Sequence, residues 1–168
     1  MRSIAICFSG VALLAILLLS QVYPSGYTLV RLNSDGAGKA ILSAVVPDGE
    51  RICLTWHNSL FRLDVTEVFF AQGGILIQDQ VTFSVPGGPP PPRVSARDVE
   101  DLYHTGGAFD ARGLARPFSR IAYRIGEIGN PRIQVSGKTA VLRDEAGFGG
   151  RVILTASRPA LHEVIFPR

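Results

Sequence analysis

Thirteen consecutive residues, Thr55-Trp-His-Asn-Ser-Leu-Phe-Arg-Leu-Asp-Val-Thr-Glu67, bring a histidine, a serine and two carboxylates together. Ser59, His57 and Asp64 are the residue types of a hydrolytic triad, in which an imidazole takes the serine proton and a carboxylate orients the ring. His57 and Ser59 lie only two apart, however, and the chain has no G-x-S-x-G elbow to expose a nucleophile. A zinc site needs several convergent ligands. The three histidines, His57, His104 and His162, form no H-x-H or H-x-x-x-H pair. Gly137-Lys138-Thr139 has the ending of a phosphate loop, but the glycine required five residues earlier is Arg132 and no helical pattern follows. The expectation is therefore no metal, no cofactor and no catalytic residue.

Glu67 is the most informative of these groups. If Leu63 to Ala71 is a regular strand, Leu63, Val65, Glu67 and Phe69 share one face. A carboxylate on an apolar face is costly unless it is hydrogen-bonded or paired. Glu67 thus calls for a partner, with Asn58, His57 or an arginine as candidates, or for a bulge that turns it to solvent. A structural tie and a ligand contact satisfy that demand equally well.

The elements that must position these residues read mainly with period two. Arg51 to His57 alternates, with Ile52, Leu54 and Trp56 on one face. Leu63 to Ala71 and Ile75 to Val85 form a hairpin over Gln72-Gly-Gly74. In its second arm Ile75, Ile77, Val81, Phe83 and Val85 are assigned to one face, and Gln78, Gln80, Thr82 and Ser84 to the other. Tyr27 to Leu32 and Ala40 to Val46 precede these strands. Ser119 to Ile125, Arg132 to Val135, Thr139 to Leu142, Arg151 to Ala156 and Leu161 to Phe166 follow them. The run Pro86-Gly-Gly-Pro-Pro-Pro-Pro92 cannot continue a ladder and reads as an extended connector. After it, Ser95 to Tyr103 reads as one short helix capped by Ser95. The predicted fold is mostly β: an antiparallel β-sandwich or barrel-like domain with one short helix.

A hydrophobic helix precedes that domain. Ile4 to Tyr23 is an uncharged stretch of twenty residues behind Arg2. It reads as a signal peptide or a signal anchor over residues 1–24, followed by an exported β-rich domain at 25–168. Positive charge on the N-terminal side predicts that this end stays in the cytoplasm. Cys7 lies inside that segment, so the exported part holds Cys53 alone and cannot form an internal disulfide. The formal net charge of +3 comes from 17 Lys and Arg against 14 Asp and Glu. Arginines and acids both occur between Arg93 and Arg132, a mixed surface that speaks against nucleic acid as partner.

The order of these segments resembles the exported family known as domain of unknown function 1850. An aromatic followed by His-Ser and then a hydrophobic-x-acid pair marks that family; Trp56-His57-Asn58-Ser59 and Val65-Thr66-Glu67 stand in those places. Phe83-Ser84-Val85-Pro86-Gly87-Gly88 is similar to its Gly-rich strand ending. Gly106-Gly107-Ala108-Phe109, Ala122-Tyr123-Arg124-Ile125-Gly126 and Gly129-Asn130-Pro131-Arg132-Ile133 match its later steps. The family histidine falls on Asn58, counted back from Ser59, with His57 one place early. The resemblance implies a periplasmic protein anchored to the inner membrane by its N-terminal helix. It also implies a non-enzymatic accessory associated with the membrane or substrate-binding component of a TAXI-type TRAP transporter. The candidate binding residues are His57, Asn58, Ser59, Glu67 and Arg124, facing either such a partner or a small organic acid.

Overall fold

The computed structural model of the chain describes residues 24–35, 38 and 40–165. The hydrophobic segment Ile4–Tyr23 and residues 166–168 lie outside the described residues. Among the described residues no helix is long and apolar enough to cross a membrane.

The described residues form ten strands, which build two sheets with antiparallel pairing throughout. One sheet has the order β2-β1-β10-β7, from β1 (Tyr27–Ser34), β2 (Ala40–Pro47), β7 (Arg120–Arg124) and β10 (Arg151–Ser157). The other has the order β6-β5-β4-β3-β8-β9. Its strands are β3 (Arg51–Asn58), β4 (Leu63–Gln72), β5 (Ile75–Ser84), β6 (Phe109–Phe118), β8 (Arg132–Val135) and β9 (Lys138–Val141). Three short helices, α1 (Val99–Thr105), α2 (Leu142–Ala146) and α3 (Leu161–Ile165), complete the architecture.

Alternation decides which side of each strand is buried. Ile52 and Leu54 of β3 are fully buried while Arg51 and Thr55 are exposed. They meet Val30 and Leu32 of β1, Val152 and Leu154 of β10, and Phe69 and Leu76 in one core between the sheets. Side chains of this size contribute roughly 1.5–3 kcal/mol each when fully buried. A second cluster lies on the β5–β6 half of the larger sheet, where Val65, Val81, Phe83 and Phe109 meet Val99 of α1. Phe83 and Phe109 stack there with ring centroids 4.8 Å apart. Trp56 packs against both clusters and so sits at the seam between them. The result is a sandwich-like β fold.

The β4–β5 turn is tighter than the sequence reading, with Gly73 and Gly74 alone between the strands. Both have positive φ, 59° and 86°, as a two-residue hairpin turn of the primed type requires. A Cβ on Gly74 would also stand 2.7 Å from the Arg158 backbone nitrogen.

Four expectations are corrected. Phe109–Phe118 is a strand that alternation does not reveal, because Arg112, Gly113, Arg116 and Pro117 interrupt it. It forms an edge of the larger sheet, where a proline costs no ladder bond. Leu161–Ile165 is a helix rather than a closing strand; its Glu163 carboxylate accepts from the Ala160 N–H at 2.9 Å, half of a capping box. The short helix starts at Val99, not near Ser95, and Ser95 instead closes a turn by accepting from the Arg97 N–H at 3.2 Å. Finally, Asp79 is an unpaired extra residue in β5: Val68 faces Gln80 and Phe69 faces Gln78. That bulge reverses the face of the strand before it. Leu76 and Gln78 therefore point inward, while Ile75 is 37% exposed.

A candidate binding cleft beside a buried glutamate

The Asp79 bulge decides how Glu67 is satisfied. Glu67 sits directly opposite Leu54 on one side and Val81 on the other, both fully buried. Its own exposure is 9%. Trp56, two residues beyond Leu54 on the same face, donates its Nε1–H to Glu67 Oε1 at 3.2 Å. Gln78, turned inward by the bulge, donates its Nε2–H to Glu67 Oε2 at 3.1 Å. The partners are thus Trp56 and Gln78, not Asn58, His57 or an arginine. Those side chains are ruled out by direction: Asn58 is occupied in the turn, and His57 pairs with Asp64 one residue out of phase with Trp56.

Burial raises the Glu67 carboxyl above the ordinary carboxylate value, and the hydrogen bonds from Trp56 and Gln78 only partly oppose that. Two phenols feel the same environment. Burial, reinforced by the Glu67 charge, holds Tyr103 of α1 well above the usual tyrosine range. Burial, with Glu67 and then Tyr103 adding to it, does the same for Tyr123 of β7. The Tyr123 hydroxyl is buried without a hydrogen-bond partner. Glu67, Tyr103 and Tyr123 thus form a polar seam within an apolar interior.

A cleft of about 450 Å³ opens next to this seam, between the end of β3 and the β7–β8 loop. Trp56, His57, Asn58 and Ser59 line one side; Tyr123, Arg124 and Ile128 line the other. The His57 N–H donates to the Gly129 carbonyl at 2.9 Å and ties the two sides together. A Cβ on Gly129 would stand 3.2 Å from the His57 carbonyl oxygen, so the small residue allows the approach. The β3–β4 connection runs from Ser59 to Arg62 and is shaped by Asn58. Its Oδ1 accepts from the Leu60 N–H at 3.0 Å and the Phe61 N–H at 3.2 Å, an Asx turn. Arg62 completes the turn with φ of 55°. This turn leaves Leu60 80% exposed at the rim, and Ile128 across the cleft is 63% exposed.

Four of the five candidate residues, His57, Asn58, Ser59 and Arg124, therefore meet in one cleft. Glu67 does not line it; it lies behind Trp56, whose indole both lines the cleft and holds the carboxylate. Sequence reasoning did not select Trp56, Gln78 or Tyr123. Tyr123 carried a readable signal, since it alternates with Arg124 on β7. Gln78 did not, because the bulge that turns it inward leaves no mark in the alternation.

The hydrolytic arrangement is present in part. His57 Nδ1 is 2.8 Å from Asp64 Oδ1, which orients the ring as a base would need. Ser59 is exposed and makes no hydrogen bond to His57. Among the described residues no group of three or more His, Cys, Asp and Glu is placed to hold a metal ion. The arrangement offers a cation, an imidazole, an indole wall and an apolar rim, the means of binding. Comparison of the chain with models of known families, with curated proteins and with solved structures returned no significant match.

Proposed function

We propose that the chain is an exported, non-enzymatic accessory module of a TAXI-type TRAP solute uptake system, anchored by its N-terminal segment and docking a transporter component through the cleft. The observation that carries this reading is the meeting of His57, Asn58, Ser59 and Arg124 in one cleft with exposed Leu60 and Ile128 at its rim. An indole and a guanidinium beside exposed aliphatics are the composition of a protein-binding hot spot. The resemblance to the family of domain of unknown function 1850 supplies the kind of partner. Orientation supports it as well. Arg124 is paired with Arg151 at the start of β10, whereas the chain enters β1 beside Ser157 at the end of β10. Over a strand of this length the two points are about 20 Å apart, so the cleft lies at the opposite end of β10 from the point where the chain enters β1. Co-purification with the membrane and substrate-binding components of a TAXI-type transporter tests the proposal. Absence of both from crosslinked, affinity-purified material removes it.

A second reading is a site for a small organic acid. Arg124 and His57 on the cleft favour it, in a volume within the roughly 300–1,000 Å³ typical of ligand pockets. A thermal-shift screen with mono- and dicarboxylates decides it; a shift that Arg124→Ala abolishes supports the site, and no shift with any acid ends it.

A further inference from the structure

We propose that β2 is a docking strand whose free edge takes an extended peptide segment of a partner protein, apolar at alternate positions, by strand addition. Among the described residues the two sheets present four edges, and three are protected against pairing. β6 carries Pro117, departs from its partner's register between Gln78 and Gln80, and is bridged by Arg93 at Asp110. β7 has five residues and an arginine at each end. β9 has four residues and begins with Lys138. These are the ordinary means by which an edge is kept from unwanted partners. β2, Ala-Ile-Leu-Ser-Ala-Val-Val-Pro, has such features only at its two ends. It is eight residues long, holds no charge and places its only proline at its end. Its one irregularity is the extra residue Ile41, so Leu42 to Pro47 form a regular ladder on β1.

The space beside that edge has the form an added strand needs. A groove of about 740 Å³ runs along Ala40 to Val45 and reaches onto Leu29 and Arg31 of β1, where Glu163 of α3 pairs with Arg31; Lys138 to Ala140 of β9 also line it. Leu42 and Ala44 turn toward the core, whereas Ser43 and Val45 turn the opposite way and stay half-buried. A strand laid on β2 alternates its side chains between these two surroundings. Apolar residues meet Leu42, Ala44 and Ala140, and polar ones meet Ser43 and His162. Main-chain hydrogen bonds supply affinity and the alternate side chains supply selection, as in other strand-addition sites. The walls select the occupant. With β9 and α3 both lining it, the groove admits a single extended segment more readily than the edge of a second sandwich. Lys138 is exposed at one end of the groove, so an acidic residue there gains a charge partner. This surface is separate from the cleft and does not depend on it.

The test uses the purified chain and synthetic peptides about eight residues long, within the usual strand range. One set alternates Val or Ile with Thr and carries a terminal Asp; a second has the same composition scrambled to lose alternation. Alternating peptides are expected to bind and to protect backbone amides within Ala40–Val46 from hydrogen exchange, with scrambled peptides doing neither. Ser43→Lys puts a charge on the edge and lowers affinity about tenfold or more, equivalent to about 1.4 kcal/mol. Lys138→Glu, at an exposed position that leaves the fold intact, weakens the Asp-bearing peptides alone. Ala122→Lys, on the opposite edge, leaves binding unchanged. Protection outside β2, equal binding of scrambled peptides, or self-association through β2 in place of peptide binding would overturn the proposal.

Discussion

Replacing Glu67 separates a structural tie from a dispensable side chain. Glu67→Ala removes the acceptor from two buried donors, the Trp56 indole N–H and the Gln78 amide. Leaving a buried donor unsatisfied costs about 1–3 kcal/mol, so the pair predicts a loss of about 2–6 kcal/mol. For a chain of this length that lowers Tm by about 4–24 °C. Glu67→Gln keeps the shape and one acceptor, and the Gln78 amide can turn to offer its oxygen to the new NH₂ group. The two variants also differ in pH response. The Glu67 carboxyl is raised above 4.5 in the folded state, so the folded chain holds this proton longer than the unfolded chain. Its contribution to stability is complete below 4.5 and is lost as pH rises through the folded value. The parent should therefore lose stability relative to Glu67→Gln across that window and be no more stable than it at pH 8. Urea unfolding from pH 4 to 8, followed by Trp56 fluorescence, measures all three proteins. A Glu67→Ala protein as stable as the parent, or a Glu67→Gln protein that follows the parent at every pH, would refute the reasoning.

Three other substitutions probe the same framework. Tyr123→Phe deletes a buried hydroxyl without a partner and should raise stability by about 1 kcal/mol, read as an increase in urea midpoint at constant slope. Asp110 of β6 behaves oppositely to Glu67: burial opposes ionisation, but hydrogen bonds from Thr82, Gln80 and Arg112 outweigh it and hold the carboxyl below 3.8. Its contribution is complete above 3.8 and lost as pH falls through the folded value, so Asp110→Asn should flatten acid unfolding and cost about 1–2 kcal/mol at pH 7. Deleting Asp79 removes only the extra residue and leaves Phe69 opposite Gln78 and Val68 opposite Gln80, so Gln78 should keep its hold on Glu67; circular dichroism melting should show a smaller loss than Gln78→Ala gives.

The legible and illegible parts of this chain have a common physical cause. Interior strands announced themselves because both neighbours must be satisfied, which forces strict alternation; β3 reads correctly along its whole length for that reason. The turn that needs positive φ was legible from Gly73-Gly74, at 59° and 86°. Edge strands escape that discipline, and β6 was hidden by the arginines, glycine and proline that an edge tolerates. The last helix was hidden by its length: five residues, Leu-His-Glu-Val-Ile, satisfy either period, and only the Ala160–Glu163 contact tells them apart. At the site, alternation correctly turned Glu67 toward the apolar face. Its partners were misread because one extra residue in β5 inverted the side of Gln78. The gathering of Arg124 with Asn58 and Ser59 rests on the long-range contact between the end of β3 and the β7–β8 loop, which local pattern does not contain.

The proposal that the cleft docks a transporter component is tested most directly by site-specific photo-crosslinking in intact cells that also make a TAXI-type TRAP system. A photoreactive residue in place of Ile128 at the cleft rim should capture the membrane or substrate-binding component, and Arg124→Ala should reduce that capture. A photoreactive residue in place of the exposed Tyr27, at the far end of the sandwich, should not. Equal capture from both positions, or none from the rim, would contradict it.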